Sequence, residues 1–392
     1  MKRNALIKLT FPLLLIFFSM SWAIQSHAQD PLFVPAPGSP ITVGQGSGEV
    51  VLADLNRDGH LDMLTKHLLT QCVAVRLGDG KGHFAPVANS PMSFSYQPGA
   101  ITLGDLNNDS ILDLGIASRE GDKEYVRIFL GNGKGGFGLA AGSPFITSAS
   151  IETYKPILRF VDVNEDGKMD LVTANGRRNS IEILFGDGRG GFSVGPIIRL
   201  ESGQYRHSFM LGDVDGDRHL DMVIAINIEA DGVLGRLVIK RGDGKGAFTD
   251  APGSLLSLPP GPRPGMLADV NGDQHLDIVL SHSSNHLSVL LNRGNGMFTH
   301  APASPYNIGA EAFAVVVADV NQDKKNDLVA ATVNSVTVLL GDSRRFVPAP
   351  GSPFGAGPGA YNVTVGDLNE DGKLDVAASS FEGNAVTVLL GR

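Results

Sequence analysis

Short runs rich in Val, Leu and Ile recur along the chain: VVLA at 50–53, LDMLT at 61–65, VAVRLG at 73–78, AVVVAD at 314–319, and VTVLLG at both 336–341 and 386–391. Their β-branching and partial alternation predict strands, and the Gly-Asp-Gly and Gly-Asn-Gly segments between them predict turns. One apolar run differs in kind. Lys2, Arg3 and Lys8 precede the segment from Phe11 to Ile24, and Ser26-His27-Ala28 follows it. A basic start, an apolar middle and a small-x-small end predict a secretory signal peptide over residues 1–28. The run is shorter than the roughly 20 residues a spanning helix needs, so no membrane span is expected. Cleavage after Ala28 would leave Gln29 first, not the cysteine of a lipid-anchored product. The expected mature chain, 29–392, is therefore secreted, periplasmic or extracellular.

A repeat organises the strands. A nine-residue pattern occurs seven times: DLNRDGHLD at 54–62, DLNNDSILD at 105–113, DVNEDGKMD at 162–170, DVDGDRHLD at 213–221, DVNGDQHLD at 269–277, DVNQDKKND at 319–327 and DLNEDGKLD at 367–375. Successive starts lie 51, 57, 51, 56, 50 and 48 residues apart. A glycine turn follows most of them: LGDGKGHF from Leu77, LGNGKGGF from Leu130, FGDGRGGF from Phe185, RGDGKGAF from Arg241 and NRGNGMF from Asn292. A third mark comes next, AAGSP ending at Pro144, APASP at Pro305 and APGSP at Pro353. Strands fit before the nine-residue loop, after it, up to the glycine turn, and from the Phe toward the Pro. Four strands in about 50 residues predict a propeller blade, and the repeats predict an all-β, seven-bladed β-propeller of four-stranded antiparallel blades. FVPAPGSP from Phe33 recurs from Phe346 as a fourth strand, while VTVLLGR closes the chain on a third. The N-terminal strand is thus expected to join the last blade and close the ring, leaving no unpaired edges there.

The repeated loops carry the candidate chemistry. Side-chain oxygens stand at positions 1, 3, 5 and 9, and position 7 can add its backbone carbonyl. The sets are Asp54, Asn56, Asp58, His60 and Asp62; Asp105, Asn107, Asp109, Ile111 and Asp113; Asp162, Asn164, Asp166, Lys168 and Asp170; Asp213, Asp215, Asp217, His219 and Asp221; Asp269, Asn271, Asp273, His275 and Asp277; Asp319, Asn321, Asp323, Lys325 and Asp327; and Asp367, Asn369, Asp371, Lys373 and Asp375. Alternate spacing in a tight turn aims these oxygens at one centre, and an all-oxygen set favours a hard cation, Ca2+ over Mg2+ for its larger, looser shell. The terminal acid at position 9 and the flanking strands separate the loop from an EF-hand. With these loops the chain resembles the FG-GAP or VCBS repeat family, whose best-known relatives are the propellers of integrin α subunits. The resemblance covers essentially all of 29–392 and implies up to seven calcium ions, one per loop.

The loops are not equal. A chain turning tightly around an ion favours glycine at position 6, found as Gly59, Gly167 and Gly372; Ser110, Arg218, Gln274 and Lys324 stand there in the others. A left-handed non-glycine residue costs about 1–2 kcal/mol. Loops one, three and seven are therefore expected to bind tightest. Loop six, with Lys324 and Lys325, is expected to be the emptiest, and Asp215 gives loop four an additional carboxylate.

Charge first argues one way and then the other. The formal net charge is -9, from 41 acidic and 32 basic residues, which excludes the basic footprint of a nucleic-acid binder. Hydrophobic residues at 42% exclude disorder, and the 49 glycines lack a collagen period. Yet loop positions 1, 5 and 9 together with Asp215 hold 22 of the 41 acids. Outside the loops the mature chain is cationic, which readmits acidic glycans as ligands. Cys72 is the only cysteine, so no intrachain disulfide can form, and the core or bound metal must hold the fold.

The ends of the blades opposite the loops are the candidate ligand face. Tyr96, Tyr154, Lys155, Tyr205, Arg206, Arg263 and Tyr361 all lie shortly before a loop's first Asp, where a ring would gather phenols and cations at the channel mouth. Variable connections between second and third strands add Arg119, Glu120, Lys123, Glu124, Arg177, Arg178, Asn179, His282, Asn285 and His286. The expected function is a non-catalytic binding or adhesion module, a monomer, for a glycan or protein at a cell surface or matrix. Trp22, the only tryptophan, falls in the signal, which weakens a sugar-stacking lectin and favours protein or anionic ligands. No nucleophile elbow, phosphate-binding loop or zinc helix is present. The alternative is a uronate lyase, with Tyr154 or Arg206 essential, by analogy with glycan lyases on calcium-bearing propellers. Arg241-Gly242-Asp243 spells an adhesion tripeptide but occupies the glycine-turn slot of its repeat, which accounts for it.

Overall fold

The computed structural model describes residues 30–120, 123–147, 157–175, 180–200, 204–228, 234–253, 256–342 and 345–392, and every regular element among them is a strand. The expected signal segment, 1–28, lies outside the described residues. Seven antiparallel sheets each bring four strands together in chain order. In blade one these are Ser47–Ala53, Asp62–His67, Cys72–Gly78 and Phe84–Pro86. The inner strands of the later blades are Pro98–Gly104, Leu158–Val161, Gln204–Gly212, Pro262–Ala268, Ala312–Ala318 and Ala360–Gly366. Each blade packs against the next, and Ser47–Ala53 lies against Ala360–Gly366, so the ring closes. The molecule is a seven-bladed β-propeller.

The last blade is completed as the sequence predicts. Phe33–Pro35 pairs with Ala385–Gly391, with Phe33 opposite Gly391 and Pro35 opposite Leu389. The core is seven seams, each a cluster of buried side chains from two neighbouring blades. This explains where alternation fails. Asp62–His67, Asp277–His282, Asp327–Thr332 and Asp375–Ser380 are buried at every residue, because both faces of these second strands meet a neighbouring sheet.

The fourth strand departs from the simple picture in six blades, where a second short segment also pairs with the third strand. In five of them the break falls at the Ser-Pro mark. Ser39, Ser90, Ser143, Ser304 and Ser352 precede cis prolines, and their Oγ atoms accept N–H bonds from Val388, Val75, Ile128, Val289 and Val338 at 2.8–3.0 Å. The hydroxyl fills a rung that the interrupted strand leaves open. Blades three and four lack the Ser-Pro pair: blade four is still interrupted, between Phe248–Asp250 and Leu256–Leu258, whereas the outer strand of blade three, Phe192–Arg199, runs through with one bulge.

Candidate functional site

All seven loops take one backbone path, held by their own acids. The position-1 Oδ2 accepts the position-6 N–H in every loop, at 2.7–2.9 Å. The position-5 Oδ1 accepts the position-7 N–H at 2.8–3.0 Å. Wrapping so tightly forces position 6 into the left-handed region in all seven: Gly59, Ser110, Gly167, Arg218, Gln274, Lys324 and Gly372 have φ from 63° to 89°. The sequence reading located this position. It missed a second one, position 4, where Arg57, Asn108, Glu165, Gly216, Gly272, Gln322 and Glu370 have φ from 58° to 85°. The signal was Gly216 and Gly272. Five loops therefore relieve one of two left-handed positions with glycine, and loops two and six relieve neither. Asn and Asp tolerate this region best among residues with a Cβ, which favours Asn108 over Gln322.

Position 9 has a structural task beyond any ligand role. Its aspartate is fully buried in each blade. One oxygen accepts the N–H of position 2, as in Asp62 to Leu55 at 2.8 Å. The other accepts the N–H at the glycine turn, as in Asp62 to Gly78 at 2.9 Å. The same pair of bonds recurs in loops two to seven. A Cβ on Gly186 would lie 2.1 Å from Met169 O, and most other turn glycines are as tight, which is why glycine sits there. In blade five Asn292 stands instead and donates Nδ2 to Val214 O at 2.7 Å. Burial, followed by the other loop acids after relief by the two N–H bonds, raises all seven of these carboxyls, to about 6 at Asp277 and Asp327.

Neighbouring loops also touch. The glycine turns of blades one, two and three donate Gly82, Gly135 and Gly190 N–H to Leu368, Leu55 and Leu106 O in the preceding loop. His60 Nδ1 bonds Glu370 of loop seven, and His219 Nδ1 bonds Glu165 of loop three at 2.6 Å. Gln322 donates to Gly372 O at 2.6 Å and Asn326 to Asp269 O at 2.6 Å. This face is a linked circle of near-identical turns with all-oxygen donor sets, which fit a hard cation.

The other end of the inner strands, about 20 Å away at 3.3 Å per residue, is irregular. Arg263, Phe313 and Tyr361 each stand six residues before their loop's first Asp, on three consecutive blades. Arg263 lies 4.3 Å over the Phe313 ring and ion-pairs with Glu311. Phe313 stacks on Tyr361 at 6.1 Å, and Tyr361 meets Phe381 at 6.2 Å. The equivalent residues of blades one and two are Gly48 and Gly99. There the wall is charged instead: Lys66 Nζ reaches Glu49 Oε2 at 2.9 Å, and the Arg159 guanidinium adds its field. Burial works against the Glu49 charge, but Lys66 and Arg159 outweigh it and hold the carboxyl below its usual range.

Of the seven expected ligand residues, Arg263 and Tyr361 are thus brought together, through a Phe313 that sequence reasoning did not select. Tyr96 does not join them. It is buried, stacked on Phe94 at 5.0 Å under the Arg127 guanidinium at 3.9 Å, and burial pushes its phenol up to about 12. Tyr205 and Arg206 belong to the inner strand Gln204–Gly212, with side chains outside the described residues. Tyr154, Lys155, Arg177, Arg178 and Asn179 also lie outside them. His282 is fully buried with Nε2 on Ser288 Oγ at 2.8 Å, a hairpin-closing pair and not a surface group.

Seven blades and seven matching loops place the chain among the repeat propellers. It carries FG-GAP-like repeats, whose profile matches residues 162–224, 269–330 and 319–378. The first and last of these stretches open on a loop's first Asp, as does the second, and each spans two loops. No protein of curated function matches the chain. Among solved structures, the chain is similar to an Agrocybe aegerita lectin described as recognising non-reducing terminal N-acetylglucosamine, at 16% identity and TM-score 0.53, covering 86% of both chains. It is also similar to BBS1N, solved in complex with ARL6DN, at 13% identity and TM-score 0.59, covering 92% of this chain and 97% of that one. A protein from Lactobacillus plantarum is similar at 11% identity and TM-score 0.56, covering 87% and 91%. Likeness at these identities concerns the fold. No helix among the described residues is long and apolar enough to cross a membrane.

Proposed function

We propose that this protein is an exported, calcium-stabilised propeller that binds a glycan or protein ligand on the face opposite its loops, without catalysis. One observation carries the ligand face: the row Arg263, Phe313, Tyr361 and Phe381, in which a guanidinium lies over one ring, a second ring stacks on the first and a third tilts against it, across three blades. Flat π-faces beside a cation suit a sugar ring bearing a carboxylate, or an acidic peptide with an aromatic residue. The loops supply rigidity. Acids crowded into each turn repel one another until a cation joins them, so calcium stabilises the folded ring by linkage. Extracellular calcium modules bind at about 0.1–1 mM, which suits a structural ion.

An array of acidic glycans and of matrix proteins, probed with the full chain and with Phe313→Ala, tests the ligand face. Retention that the variant loses supports the reading; equal retention by both defeats it. Release of unsaturated uronate products would instead favour the lyase.

A further inference from the structure

Blade four departs from the other six at two places that touch. At loop position 3 it carries Asp215, where the others carry asparagine. Just before the glycine turn it carries Arg241, where the others carry Leu or Phe. Arg241 Nε lies 2.9 Å from Asp215 Oδ2, a charge contact and not an aligned hydrogen bond. The Asp215 side chain is only 9% exposed, and one of its oxygens lies within 4.8 Å of one oxygen each of Asp213 and Asp221. An additional carboxylate so placed is costly unless a cation accompanies it.

The asparagine loops show what position 3 must do. Asn56 accepts the Asp58 N–H on Oδ1 at 3.0 Å and donates Nδ2 to Asp58 Oδ2 at 2.8 Å. Asn107, Asn271 and Asn369 donate to Asp109, Asp273 and Asp371 in the same way. Asp215 keeps the first contact, accepting the Asp217 N–H on Oδ1 at 3.2 Å. It has no proton for the second, and its other oxygen faces Arg241 instead.

We propose that Arg241 and Asp215 together replace the asparagine of the other loops, so that Arg241 sets the calcium affinity of loop four. The guanidinium cancels the additional carboxylate and returns the side chains at positions 1, 3, 5 and 9 to the net charge they carry in the other loops, leaving Oδ1 turned as the asparagine oxygen is. The inference rests on the calcium reading of the loops. It also gives the arginine of Arg241-Gly242-Asp243 a task beside its own loop, although its side chain is 42% exposed.

The test is a two-by-two set in the full chain: wild type, R241L, D215N and D215N/R241L. Hydrogen exchange of the segment 213–221 is followed across a calcium titration, and thermal unfolding is recorded in chelator. R241L leaves a surplus carboxylate, so loop four should bind calcium about tenfold tighter or more, and the calcium-free protein should melt lower. D215N leaves a surplus cation, so binding should weaken about tenfold. D215N/R241L reproduces the other blades and should return both readings to wild type. Additive single effects, with no recovery in the double variant, would overturn the inference. Should R241L fail to fold, the double variant still decides, because a loop four differing from wild type in affinity defeats the replacement. If no loop in any variant responds to calcium, the calcium reading fails. The chelator melts then judge the pair alone: recovery in the double variant upholds it and its absence overturns it.

Discussion

The two faces of the ring are built on opposite plans. On the loop face seven turns repeat the same bonds, from the position-1 carboxylate to the position-9 clasp, with blade four alone exchanging an asparagine for an ion pair. On the other face the blades differ: Arg263, Phe313 and Tyr361 occupy three of them, and glycine, as Gly48 and Gly99, two others. Repetition marks what every blade needs in order to stand beside its neighbours. Difference, at positions equally free to repeat, marks where the ring can hold something asymmetric, such as one ligand across three blades. Stability should therefore be lost from the loop face and recognition from the other.

Calcium removal separates the faces most sharply. With seven sites filled at about ten times Kd, linkage amounts to about 10 kcal/mol, and chelation should lower Tm by 10 °C or more. An unchanged Tm in chelator would leave the loops without a structural ion. Next in size is Asp170→Ala, which strands the buried N–H groups of Val163 and Gly186. It should cost about 3 kcal/mol in urea unfolding, and should do so even in chelator, because the clasp needs no ion. Phe313→Ala should reverse the pattern, weakening the arrayed ligand by about tenfold while the urea midpoint moves little. A large midpoint shift with intact binding would make the row a packing device.

Acidity gives a smaller effect. Burial raises the Asp277 and Asp327 carboxyls to about 6, above the roughly 3.9 of an unfolded chain. These groups hold their protons more firmly folded than unfolded. Their contribution is therefore intact below pH 4 and falls as pH climbs to about 6. In chelator, Asp327→Asn should lose its share of that decline across urea midpoints at pH 4, 5 and 6, and identical slopes would contradict the assignment. The smallest change is a gain: Lys324→Gly relieves one left-handed residue of loop six and should stabilise by about 1 kcal/mol.

What could be read from the sequence follows from how local each feature is. The repeat, the blade order and the closing strand are one-dimensional patterns, and each is present in the structure. Position 6 announced itself through three glycines, whereas position 4 was visible only by aligning Gly216 and Gly272 with polar and charged residues elsewhere. The clasp of position 9 joins residues 14 to 21 apart, such as Gly341 and Gly242 with Asp327 and Asp221, so nothing in the loop itself discloses it. Tyr96 was selected by residue type and address, yet a Phe two residues earlier and an arginine on the third strand of blade two enclose it. Phe313 was passed over because phenylalanine carries no reactive group, and only its register beside Arg263 and Tyr361 shows its place. The Arg241 contact was hidden in a tripeptide whose letters suggested a different partner.

The pairing of Phe33 with Gly391 sets an order of events. Phe33 is made early and must wait for a partner synthesised more than 350 residues later, while each intervening blade can form from consecutive strands. Until the two pair, the last blade lacks its outer strand, and its Ala385–Gly391 edge, once made, is open to any extended segment nearby. Each strand therefore needs the other: without Phe33–Pro35 the Ala385–Gly391 edge stays bare, and without Ala385–Gly391 the first strand has no partner.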